Sequence, residues 1–214
     1  MSKWVPVLVP DVGNGEALSY SERQSYVNSN GFDLAFCQHL NSIEDRRHNY
    51  AMGITSRSVM GDSEASRSFA ANYAAIVDAA MEQAGIQRTG PPRNWEERPE
   101  AAQIEQLNVP SVLAEPLFVS RLEAAVWVLS QQGRNVLARC AFQAIRDALP
   151  NGGRVAILPG HIGRSDKPSD IGAPVRVPTV VGEALQWQTR ATEAELNWDI
   201  CVRLKNLMLG FACP

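Results

Sequence analysis

The sequence predicts an α/β domain in three layers, α/β/α, with a largely parallel central sheet. Short apolar runs bounded by proline, glycine and asparagine alternate with stretches whose apolar residues recur every three or four positions, as strands and covering helices do. The 214 residues are 45% hydrophobic and 20% charged, sufficient for one core, so a single domain over 1–214 is expected. Four cysteines, Cys37, Cys140, Cys201 and Cys213, lie far apart without a Cys-x-x-Cys pair. That excludes a disulfide framework and a zinc ribbon, and the cysteines read as small buried hydrophobes.

The elements follow in order. Residues 5–9 are a β-branched run between prolines and read as a buried first strand, followed by the turn Asp11-Val12-Gly13-Asn14-Gly15. Ser19 with Glu22 is a capping-box pattern and Asn30-Gly31 a natural stop, which predicts a helix over 20–29. A second strand is expected over 32–36. Asn41 or Ser42 is expected to cap a helix running to Met52, with Glu44 and Asp45 at the positive end of its dipole. Ala65, Phe69, Tyr73, Ile76, Val77, Ala80 and Met81 form one apolar stripe, which predicts a helix over 62–84 ended by Gly85. Residues 85–100, with Gly90, Pro91, Pro92 and Pro99, read as a surface insertion or lid.

Residues 109–113 form the next predicted strand, and Pro116 is expected to open a helix that buries Leu117, Leu122, Ala125, Val126 and Leu129. A helix over 134–149 ends at Pro150-Asn151-Gly152-Gly153 and leads to a strand over 154–158. Further strands are expected over 175–181 and 183–188. Thr192 with Glu195 is a second capping box, opening a final helix through Leu196, Ile200, Leu204, Leu207 and Met208.

Charge narrows the partners. The formal net charge is −3 with no sustained basic run, so neither nucleic acid nor an anionic membrane is expected as a partner. The apolar stretch at residues 4–9 is short and interrupted by Pro6, unlike a secretory leader or a membrane span, and a cytoplasmic location is the expectation.

Ligands of open α/β sheets bind beyond the carboxyl ends of the strands, where backbone amides and helix N-termini hold anions. Two loops hold that position, 10–15 and 159–166. They supply Asp11 and Asn14, then Gly160, His161, Gly163 and Arg164. His161 lies between glycines that allow close ligand approach, and its imidazole is suited to proton transfer near neutral pH; the plainer role is a hydrogen bond to the backbone. Asp11 is equally an ordinary turn former. Arg46, with Arg47 and Arg57, is a source of positive charge for the cleft or else part of a solvated face. Glu115 is a candidate general acid or a helix cap. His39 and His48 follow Cys37, but Cys37-x-His39 straddles a strand end and no fourth ligand is spaced to close a site, so no metal and no cofactor are expected. No Gly-x-Ser-x-Gly elbow, Walker loop or Gly-x-Gly-x-x-Gly fingerprint is present.

Four stretches, taken together, carry a family pattern. They are Val7-Leu8-Val9-Pro10-Asp11-Val12, Leu18-Ser19-Tyr20-Ser21-Glu22-Arg23-Gln24, Phe32-Asp33-Leu34-Ala35-Phe36, and Val155-Ala156-Ile157-Leu158-Pro159-Gly160-His161. With Val181-Gly182-Glu183-Ala184-Leu185-Gln186 as a terminal strand, the chain resembles the histidine phosphatase (phosphoglycerate mutase-like) superfamily. The resemblance implies that fold, a phosphate-binding cleft, and a charge-neutralising role for His161. Asp11 stands where the family carries its nucleophilic histidine, Pro10 where it carries an arginine, and Leu40-Asn41-Ser42 where a further arginine belongs. It therefore implies a degenerate member, a pseudoenzyme that binds a phosphorylated small molecule or a protein partner with weak or no catalysis, with a homodimer as one assembly. The alternative is an active phosphoester hydrolase or phosphoryl transferase using His161 with Asp11. An actin-like kinase, suggested by Asp11-Val12-Gly13 after an apolar run, lacks the second phosphate loop such folds need.

Overall fold

Alternation along the apolar runs determines which face each side chain takes. In the computed structural model, which describes residues 3–9, 18–44, 47–56, 63–90, 95–98, 101, 103–162, 170–181 and 184–210, the run Leu34, Ala35, Phe36, Cys37 is buried throughout. Leu34 and Phe36 enter one core cluster, Ala35 and Cys37 another. Val155 and Ile157 alternate with Ala156 and Leu158 in the same way. Strands with core on both sides lie inside a sheet covered on both faces.

That sheet has six strands, β1 (Trp4–Leu8), β2 (Leu34–Gln38), β3 (Met52–Ser56), β4 (Trp95–Arg98), β5 (Ser111–Glu115) and β6 (Gly153–Pro159), in the order β1-β6-β2-β5-β3-β4. Neighbours are parallel except β3 with β5, so β3 and β4 run against the other four. The helices are α1 (Tyr20–Ser29), α2 (Ser63–Gln83), α3 (Leu122–Leu129), α4 (Gln131–Ala148) and α5 (Glu193–Met208). The crossover from β1 to β2 and that from β5 to β6 travel in opposite directions along the sheet. Crossovers of one hand must then lie on opposite faces. Accordingly, Val27 of α1 joins the cluster of one face, together with Ile104 and Leu107, while α2, α4 and α5 bury Tyr73, Leu137 and Ile200 on the other. The result is a mixed α/β architecture with a mostly parallel central sheet flanked by helices. A separate antiparallel ribbon, β7 (Pro174–Val181) with β8 (Ala184–Thr192), precedes α5. Among the described residues no helix is long and apolar enough to cross a membrane.

Several expectations need correction. Among the described residues no helix follows Asn41: Asn41 forms a bridge with Phe118 and Asn49 one with Thr89, and β3 occupies 52–56. The polar side chains that look like caps serve tertiary contacts instead, Asn41 donating to Glu115 and Asn49 to the carbonyl of Gln87. Pro116 does not open a helix, because Leu117 and Val119 exchange backbone hydrogen bonds with Asn41 and delay α3 to residue 122. Within 85–100, Trp95–Arg98 is an edge strand paired with β3 rather than loop. Both capping boxes, the stripe of α2 and the burial of Cys37, Cys140 and Cys201 agree with the sequence reading.

Candidate metal centre

β2 and β6 are neighbours, so the residues that follow them meet beyond the sheet's carboxyl edge. His39 directly follows β2, and its backbone N–H is held by the carbonyl of Ala114 on β5. His161 lies two residues beyond β6. Glu193 is the first residue of α5, held there by the Thr192–Glu195 capping box. The His39 and His161 rings meet edge to face with centroids 4.9 Å apart.

The hydrogen bonds fix both imidazoles. His39 Nε2 donates to Gln103 Oε1 at 2.6 Å, an orientation consistent with Gln103 Nε2 reaching the carbonyl of Pro159. His161 Nδ1 donates to Asp170 Oδ1 at 2.7 Å. The other nitrogen of each ring, His39 Nδ1 and His161 Nε2, stands 3.3 Å from the same atom, Glu193 Oε1. That carboxylate is 4% exposed and is itself held by the N–H groups of Leu40 (3.0 Å) and Ala173 (3.1 Å). Glycines make the packing feasible. A Cβ on Gly160 would come within 2.4 Å of the His39 ring, and one on Gly172 within 2.7 Å of Glu193 and 2.8 Å of His161.

Two neutral imidazoles with their lone pairs turned toward a carboxylate oxygen repel one another unless a proton or a cation lies among them. Burial opposes a charge on His161, but its hydrogen bonds and charge interactions with Glu193 and Asp170 outweigh this and raise its pKa. Burial alone would raise Glu193, yet His161 and His39 hold its carboxyl well below the usual carboxylate range. The same arrangement could hold a metal ion. One atom each of His39, His161 and Glu193 lies within 4.8 Å of the others. A tetrahedral zinc ion with ligand distances of about 2.0–2.1 Å has ligand–ligand edges of roughly 3.3 Å. The two nitrogen–oxygen separations, both 3.3 Å, match that edge, while the set as a whole spans up to 4.8 Å.

Of the residues singled out in the sequence, the structure brings His161 and Gly160 into this cluster. Glu115 ends β5, the strand beside His39, and accepts a hydrogen bond from Asn41 Nδ2 at 2.6 Å. Burial pushes its carboxyl up, against the pull of His39 and Arg98. Asp11, Asn14, Arg46, Gly163 and Arg164 lie outside the described residues, as does Arg57. Spacing along the sequence does not show what the fold brings to His39, Glu193 from 154 residues away and His161 from beyond β6. Cys37 takes no part, its side chain being buried in the opposite core cluster. Gln103, Asp170 and Glu193 escaped the sequence reading. For Glu193 one signal existed, an acidic residue one position inside a capped helix start.

The chain matches no described protein family and no curated protein. Among solved structures it is similar to the CwlD amidase from Clostridioides difficile in complex with the GerS lipoprotein, with a TM-score of 0.49 and 16% identity over 61% of this chain. The match spans 64% of that structure's chain.

Proposed function

We propose that the chain binds one divalent transition-metal ion, zinc in the first instance, through His39, His161 and Glu193, and that this centre serves hydrolysis. The observation that carries the reading is the pair of fixed tautomers. Gln103 and Asp170 each hold the far nitrogen of one histidine, as acceptors behind metal-bound histidines do, leaving the near nitrogens aimed at one carboxylate oxygen. Three protein ligands of the His, His, Glu type leave a coordination position for water or substrate, the pattern of catalytic rather than structural zinc. A bound ion there supplies a Lewis acid and activates water. We assign the proton-carrying role to Glu115, which ends the adjacent strand and whose carboxyl is pushed up by burial.

Calorimetric titration of chelator-treated protein with Zn²⁺ tests the reading. One ion per chain is expected, with affinity falling at least 100-fold in His39→Ala, His161→Ala and Glu193→Gln. Equal binding by wild type and all three variants, or none by folded wild type, refutes it.

The histidine-phosphatase fold and a phosphorylated ligand form a second proposal, supported by the facing pair of histidine rings at the sheet's carboxyl edge. Against it stands the buried Glu193 carboxylate between the two rings, which repels a phosphoryl group and attracts a cation. Phosphate release from an aryl phosphate, lost in both His161→Ala and Asp11→Ala and indifferent to chelators, would favour it over the metal centre.

A further inference from the structure

His161 is the only non-glycine among the described residues with a left-handed backbone, at φ +56°. For a histidine this is a costly conformation that persists only when its surroundings impose it. The imposing group comes from α1, on the opposite face of the sheet from α5. Arg23 has no solvent exposure. Its guanidinium donates from Nη1 to the carbonyl of Pro159 at 3.0 Å and from Nη2 to that of Ile162 at 2.6 Å, the two residues that bracket Gly160 and His161. Nε donates to the carbonyl of Leu18 at 3.0 Å and so ties the same side chain to the start of its own helix. On the other side the turn is fastened to β2 by the Gly160 N–H, which donates to the carbonyl of Gln38 at 2.8 Å.

If packing were the only requirement, an aliphatic side chain would serve at this point of α1. Burying a guanidinium is unfavourable unless its N–H groups are directed at acceptors, and here Nη1 and Nη2 are both directed at the carbonyls of one turn. We infer that Arg23 is a positioning residue for the metal centre: by gripping the carbonyls of Pro159 and Ile162 it holds the left-handed turn that aims His161 Nε2 at Glu193. This rests on the metal reading above and adds that the geometry of His161 is imposed from α1 rather than by the ligands alone. Lysine's ammonium has three donors on one nitrogen where arginine has two spaced nitrogens in a planar fork, so it holds the two carbonyls less firmly and without the same geometry.

The test uses the full chain as wild type, Arg23→Met, Arg23→Lys and, as a remote core change of comparable destabilisation, Leu137→Ala. Zinc affinity is measured by calorimetry, the Co²⁺ form by its visible d–d bands, and the His161 ring by NMR. Arg23→Met is expected to stay folded in the cold, weaken zinc binding about 10–100-fold and alter the Co²⁺ bands. Arg23→Lys should fall between it and wild type, and Leu137→Ala should bind as wild type does. Wild-type affinity and an unchanged Co²⁺ spectrum in Arg23→Met would overturn the inference. So would failure of both Arg23 variants to fold, which would assign the residue to stability of the fold. A folded wild type that binds neither ion refutes the metal reading instead. Arg23 is then judged on the His161 ring signals, which move in Arg23→Met and stay in Leu137→Ala if the turn depends on it, and overturn the inference if they stay in both.

Discussion

Gln103 accepts the N–H of His39 and Asp170 that of His161, and those two bonds decide which nitrogen of each histidine faces Glu193. Replacing Gln103 by leucine removes the acceptor while keeping the bulk. The His39 Nε2–H is then buried without a partner, at a cost of about 1–3 kcal/mol in stability. Nothing then fixes the tautomer, so zinc affinity should fall roughly 10–100-fold. Thermal melts and zinc titration of Gln103→Leu check the two effects separately, and unchanged zinc affinity would mean the orienting bond is dispensable. Residues differ in how visible such roles are beforehand. His161 shows itself because it follows an apolar run and lies among glycines. Gln103 sits in a stretch without periodicity, and nothing in its neighbours announces an imidazole 64 residues away.

Elements were legible where their determinants are local. The boxes Ser19–Glu22 and Thr192–Glu195 close within four residues, and α1 and α5 begin where those patterns place them. In contrast, 41–52 carries cap-like residues whose partners lie on β5 and after α2, so local pattern and structure part company there. The edge strand β4 was hidden for a similar reason: Trp95–Arg98 is charged and flanked by prolines, and only its pairing with β3 makes it a strand. The cap of α5 has a consequence for the site because Glu193 is the next residue. Thr192→Ala should cost about 1 kcal/mol. It should also weaken zinc binding by loosening the turn that carries the carboxylate. Calorimetry on this variant, with Ser130→Ala as the matching cap loss at α4, which carries neither a ligand nor Arg23, separates the local effect from a general one.

At the scale of the molecule, the site exists because the strand order sets β2 beside β6 and the returning chain brings α5 under both. No stretch of sequence contains it, which is why the fold class was readable and the ligand set was not. The layer that holds α5 in place is fastened by charge as well as by core. Asp199 on α5 accepts from Arg203 Nε at 2.8 Å and from Arg134 of α4. Burial favours its neutral form, but the two arginines outweigh that and hold its pKa below the ordinary value. A depressed carboxyl stabilises the fold above its unfolded pKa, and that contribution is lost as pH falls through the folded value. Stability of the wild type should therefore drop more steeply below about pH 4 than that of Asp199→Asn. Asp199 is 37% exposed, so screening limits the difference at neutral pH to roughly 0.5–1 kcal/mol, less in high salt. Denaturant titrations at pH 7, 4 and 3 measure it, and parallel curves for the two proteins would remove Asp199 from the account.

The sheet's two outer strands have one more consequence. A free strand edge is a template on which other chains can add, and globular proteins that keep one risk growing into fibrils. Here β1 carries Pro6, which has no N–H to offer, and β4 is a four-residue strand with Glu96 and Arg98 paired at 3.3 Å. Neither edge presents the long uninterrupted row of donors and acceptors that a docking strand needs. The parallel strands that create the histidine cluster are thus enclosed by two edges poorly suited to recruiting further chains, and the central sheet should resist edge-to-edge addition even when the protein is concentrated.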